Sequence, residues 1–96
     1  MARVVVAPTA RDDLDQLIDT LSLPQNTSAR VRALLQQLAD FPRRGPRLEG
    51  RWAGFRFILG PWPWMLVVYA FDEEANQVSV VTVQDARSAR SATSTR

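Results

Sequence analysis

The 96 residues contain no cysteine, no histidine and no lysine. Without cysteine there is neither disulfide nor thiolate chemistry. Without histidine the chain lacks the commonest general acid–base group and the commonest metal ligand. Metal binding would fall to carboxylates alone, and no acidic stretch has calcium-site spacing. No metal and no cofactor are therefore expected. No apolar run reaches the roughly 18 residues of a spanning helix. No basic region followed by an apolar one opens the chain, so no signal peptide, no membrane association and a cytoplasmic location are expected. Tyrosine occurs once, as Tyr69.

What remains is apolar and arginine-rich. An apolar content of 46% suits one compact core in a single domain. A chain this short leaves a large share of its surface wet, so its stability margin is thin and a bound partner would raise it by mass action. All 12 basic residues are arginine. Arginine is permanently charged and grips phosphate or carboxylate with a planar fork, but it is a poor proton shuttle. Residues 1–42 carry four arginines against five aspartates, a net −1, whereas residues 43–96 carry eight arginines against five acids, a net +3. The basic second half suits an anionic partner, either nucleic acid or an acidic protein segment.

Residues 3–7 are valine-rich strand material, ended by Pro8-Thr9. Thr9, with Asp12 three residues on, fits a helix N-cap with an acid in the first turn. Leu14, Leu17, Ile18 and Leu21 then recur at helical spacing, the stripe of an amphipathic helix that Pro24 ends. Asn26-Thr27-Ser28 offers caps for a second helix, whose stripe is Val31, Leu34, Leu35 and Leu38 with Phe41 as an anchor, stopped by Pro42. The short link predicts an antiparallel helical hairpin.

Residues 43–46 form a turn-rich loop. Beyond it, Trp52, Phe55, Phe57 and Leu59 can share one strand face with Arg56 and Ile58 on the other. Gly60-Pro61-Trp62-Pro63 makes a stiff connection, and residues 64–71 read as a central strand covered on both faces. A polar turn over residues 72–76 leads to a last strand at 78–83. The order β-α-α-β-β-β predicts an α+β fold, with the helical hairpin packed on a small, largely antiparallel sheet. Residues 1–87 would form the domain. Residues 88–96, rich in Ser, Thr and Ala, are expected to be a tail that is mobile or ordered by a partner.

Three stretches carry a resemblance: Thr9-Ala10-x-x-Asp13-Leu14 after a short strand; Leu38-x-x-Phe41-Pro42-x-x-Gly45-x-x-Leu48-x-Gly50; and Leu66-Val67-Val68-Tyr69 running through Asp72-Glu73 to Asp85-Ala86-Arg87. In this order and at this length they resemble the RelE/ParE superfamily, the toxins of bacterial type II toxin–antitoxin pairs. The resemblance implies a hetero-oligomer with a cognate antitoxin. It also implies one of two modes of growth inhibition: ParE-like poisoning of DNA gyrase by binding, or RelE-like cleavage of messenger RNA on the ribosome. An endoribonuclease of the second kind would use Arg56 and Arg87 on phosphate. This chain reads Trp64-Met65 where such enzymes usually present an arginine, and no tyrosine follows Arg87. RNA cleavage needs a group to take the 2′-hydroxyl proton and another to protonate the leaving oxygen, which arginine does poorly. The non-enzymatic gyrase binder is therefore the first expectation. The RNase is the second, and a non-toxic member acting only in an antitoxin complex the third. Candidate target-binding residues are Arg51, Arg56, Arg87 and Arg90, with Trp62 and Trp64 as a possible stacking platform or core anchors.

Overall fold

The structure, a computed structural model, describes residues 1–88 and 91–93. The order is β1 (Arg3–Val6), α1 (Pro8–Thr20), α2 (Thr27–Asp40), a short 3-10 turn (Gly50–Trp52), β2 (Arg56–Leu59), β3 (Met65–Asp72) and β4 (Gln77–Asp85). The four strands form one sheet in the order β1-β4-β3-β2. β1 runs parallel to β4, and the other two pairings are antiparallel. This is the expected α+β architecture.

Strand pleating divides the core in two. Met65, Val67 and Tyr69 alternate with Leu66 and Val68 along β3, so one set faces the helices and the other the opposite side. The helix-side core joins Ala10 and Leu14 of α1 and Val31, Leu35 and Leu38 of α2 to Val78, Val80 and Val83 of β4. The outer face of the sheet is covered by Leu48, Trp52, Phe55 and Phe57, together with Ala92 near the C-terminus. Ala92 N donates to Gln84 Oε1 at 2.8 Å and the Ser91 hydroxyl to Ala86 O at 3.3 Å. The rest of the expected tail, residues 89–90 and 94–96, lies outside the described residues. In β4 the register steps from Thr82, opposite Val68, to Val80, opposite Tyr69, so Val81 is a bulge.

Two local expectations need correction. α1 starts at Pro8 with Ala7 at its N-cap, no side chain caps it and no acid lies in its first turn. Pro8 does not break the chain there; its fixed φ and missing N–H suit the first helical turn, so the helix takes Thr9 inside it. Phe41 is not an anchor: it is 63% exposed. The helix stops at Asp40, and Phe41 has φ −130° and ψ 67°, which turns its side chain off the apolar stripe.

Candidate functional site

The connection from β2 to β3 closes as a turn in which Met65 N donates to Trp62 O at 3.0 Å and Gly60 N to Met65 O at 2.9 Å. This brings both tryptophans to the end of the sheet where β3 begins and β4 stops. Ala86 N, just past β4, donates to Trp64 O at 2.7 Å and pins the two segments together. The rings of Trp62 and Trp64 lie 6.3 Å apart with planes inclined at 33°. The Arg87 guanidinium sits 4.7 Å from the Trp64 ring centroid, and that of Arg30 sits 4.9 Å from Trp62. Both are within cation–π range. The result is a row, Arg30–Trp62–Trp64–Arg87, cationic at both ends and aromatic between.

Asp85 orients the outer arginine. Arg87 Nε and Nη2 donate to its two carboxylate oxygens at 2.9 and 2.7 Å, and Arg87 N donates to Oδ1 at 2.9 Å. The Arg87 hydrogen bonds hold the Asp85 carboxyl below the usual range, against the opposing effect of partial burial. The same pairing raises Arg87 above its ordinary value. Because the Arg87 side chain remains 60% exposed, the pair fixes a direction more than it stabilises the fold.

Arg56 stands apart from this row. It lies opposite Tyr69 on β3, whereas Asp85 lies opposite Met65. Tyr69 to Met65 is four residues, roughly 13 Å along a strand rising about 3.3 Å per residue. Arg56 and Arg87 therefore lie towards different ends of the sheet. Arg56 Nη1 instead donates to Gly45 O at 2.8 Å and Arg43 O at 3.3 Å, holding the loop that precedes β2. Arg51 lies exposed on the 3-10 turn, and Arg90 is outside the described residues. Arg30 was missed by the sequence reading. It sits off the apolar stripe of α2, and nothing in its neighbours signals that the fold carries it over Trp62.

Tyr69 is fully enclosed, and its hydroxyl accepts the Gly45 N–H at 3.0 Å. Burial raises its pKa, although the Gly45 hydrogen bond and the nearby Arg56 charge pull the other way. An unfolded tyrosine ionises at about pH 10 while the folded one stays neutral. The stability contributed by this difference is complete below that pH and is lost as pH rises through the folded value. Ultraviolet titration of the phenol should give a midpoint above the free-tyrosine value, tracking loss of near-ultraviolet dichroism. Ionisation at the free-tyrosine value in a folded protein would contradict the enclosure.

Among the described residues no group of acids converges on a metal site, and no helix is long and apolar enough to cross a membrane. The site offers fixed positive charge held beside aromatic rings.

The family model described as ParE toxin of the type II toxin–antitoxin system parDE matches residues 4–90. The chain belongs to the ParE toxin family. A comparison with curated protein sequences finds no match. Among solved structures, this ParE-family chain is similar to one in the RelBE2 toxin–antitoxin complex from Mycobacterium tuberculosis, at 26% identity and TM-score 0.70 over 88% of this chain and 96% of that one. It is also similar to the YoeB/ParE toxin from Agrobacterium tumefaciens, at 16% identity and TM-score 0.67 over 86% and 96% of the two chains. A chain of the intact RelBE toxin–antitoxin complex from E. coli matches at 16% identity and TM-score 0.63 over 92% and 100%. The helical hairpin on a four-stranded sheet is thus the fold of these toxins, and the chain is a toxin of a type II toxin–antitoxin system.

Proposed function

We propose that this ParE-family toxin arrests growth by binding DNA gyrase and performs no chemistry of its own. The observation that carries the proposal is the position of Tyr69. It is the sole tyrosine in a chain without histidine or lysine, and its hydroxyl is buried and already accepts the Gly45 N–H. RNA cleavage would have to move protons with carboxylates or guanidinium groups alone. The separation of Arg56 from Arg87 along the sheet supports the same reading, because a phosphate clamp needs its cations close together. A binder needs only a rigid surface with anchors, and Trp and Arg are the residues that most often supply them. On this reading Trp62, Trp64, Arg87 and Arg30 form the gyrase-facing surface, with Arg51 and Arg90 as further candidates.

The second reading, a ribosome-dependent endoribonuclease, draws on the 26% identical relative in the RelBE2 complex. A cognate antitoxin accompanies either mechanism. The groove between α2 and the edge strand β2, lined by Leu34, Leu38, Phe57 and Leu59 and about 380 Å3 in volume, suits an extended antitoxin segment that folds on the toxin. Such coupled folding costs on the order of 2–5 kcal/mol in ordering.

Pulse-labelling after induced expression, in bacteria lacking the antitoxin, tests the mechanism. Thymidine incorporation should fall first, with leucine incorporation intact. An early fall in leucine incorporation would overturn gyrase in favour of the ribosome. Unchanged growth with both labels unaffected would leave a non-toxic member acting only with its antitoxin.

A further inference from the structure

The opposite end of the sheet holds a second cationic site, distinct from the tryptophan row. A cavity of about 290 Å3 is lined by Arg43, Arg47, Gly54, Arg56, Phe71 and Glu73. Three guanidinium groups thus meet one carboxylate. That carboxylate is committed: Glu73 pairs with Arg43, whose guanidinium also lies 5.2 Å from the Phe71 ring centroid.

Backbone pairing forces the other two cations together. Arg47 and Arg56 are partners in an antiparallel bridge. The flanking bonds run from Leu48 N to Phe55 O at 2.9 Å and from Phe57 N to Pro46 O at 3.3 Å. This pattern makes Arg47 and Arg56 a non-hydrogen-bonded pair, the arrangement in which facing side chains approach most closely. Like charges placed so are destabilising. Arg56 is fixed by the Gly45 and Arg43 carbonyls through Nη1 alone, which leaves its Nη2 and Nε without a hydrogen-bond partner among the described residues. Arg47 has no ion pair among the described residues either.

We propose that this cavity is a carboxylate-binding pocket that receives an acidic side chain from an extended segment of the antitoxin; the identity of that partner rests on the toxin reading above. Glu73 already presents a carboxylate to Arg43, so the pocket's own chemistry is carboxylate on guanidinium. An incoming carboxylate between Arg47 and Arg56 lowers the net charge of the lining from +2 to +1 and relieves their repulsion. Nucleic acid is the poorer fit, because a base would need an aromatic face and that of Phe71 is covered by Arg43. The apolar groove beside α2 borders the same loop through Arg44, Gly45 and Pro46, so one peptide alternating apolar and acidic residues can fill both.

The test titrates the full-length 15N-labelled protein at low salt, reading arginine Nε–H resonances. The probes are acetyl-Leu-Glu-Leu-Glu-Leu-amide, the same peptide with glutamine for glutamate, and an oligouridylate. The acidic peptide should shift Arg43, Arg47 and Arg56 and bind about tenfold more tightly than its neutral counterpart. Arg47→Gln, at an exposed position, should erase most of that preference without altering the fold. Equal affinity for the two peptides would overturn the pocket, as would shifts confined to Arg30 and Arg87. Tighter binding of the oligouridylate at the same three arginines would replace the peptide with nucleic acid. In cells, the Arg47→Gln toxin should arrest growth as the parent does but need several-fold more antitoxin for rescue; unaltered rescue would overturn the antitoxin as occupant. The titration involves no growth readout, so a chain that fails to arrest growth ends the gyrase reading and leaves the pocket result intact.

Discussion

Gly45→Ala should cost about 3 kcal/mol or more of folding stability, the upper range for overpacking a rigid site. An added Cβ at this position would lie 2.1 Å from Phe57 O, 2.9 Å from Phe57 C and 3.0 Å from the Tyr69 hydroxyl oxygen. The two nearest atoms belong to the backbone of β2, so no flexible side chain can swing away. Relief requires the loop to move off the strand, and that motion breaks several bonds together. Gly45 N would leave the Tyr69 hydroxyl, stranding a buried acceptor, and Gly45 O would leave Arg56. The Phe57 N to Pro46 O bond, at 3.3 Å, would stretch with them. Urea denaturation should show a lower midpoint with an unchanged slope, since the surface exposed on unfolding stays the same. A variant within about 1 kcal/mol of the parent would mean that the loop is compliant, and would weaken the case for a preformed pocket between Arg47 and Arg56.

The second large effect is functional and separates two arginines that look equivalent in the sequence. If gyrase is the target, as proposed, Arg87→Ala should weaken its binding about 30-fold or more, as loss of a hot-spot arginine does. Stability should change little, because the side chain is 60% exposed and its pairing with Asp85 is a surface one. Arg56→Ala should do the reverse. Its guanidinium ties the carbonyls of Gly45 and Arg43 to β2, so removing it should destabilise the fold by roughly 1–3 kcal/mol and alter gyrase affinity little. Affinity measured with purified gyrase, alongside urea denaturation of each variant, distinguishes these outcomes. If either substitution alone abolishes growth inhibition through loss of ribosome-dependent RNA cleavage, both arginines act on phosphate and the non-enzymatic mechanism is wrong.

The contrast between Arg56 and Arg87 shows where a sequence reading stops. Both were placed correctly, one on a strand and one beyond the last strand. The elements themselves were legible because their signals are local: the valine run of β1, the helical stripes of α1 and α2, the unbroken apolar stretch of β3. The face assigned to Phe57 against Ile58 followed from pleating and agrees with their separation into two cores. The errors lay at element ends, where short-range signals compete. Pro8 reads as a breaker until the helix is seen to start on it, and Phe41 reads as core until the helix ends one residue too soon to bury it.

The sequence by itself determined the order of elements, the exclusion of thiol and imidazole chemistry, and the accumulation of arginine in the second half. These follow from composition and from periodicities of two and 3.6 residues, which the backbone imposes within a few residues of any position. Only the tertiary structure decided which arginines act together. Strand register joins Arg56 to the loop at residues 43–47 and carries it away from Arg87, while the packing of α2 brings Arg30 to Trp62. Register and helix packing are set by the whole core at once, so contacts between residues distant in the chain are not written in the neighbourhood of any one of them.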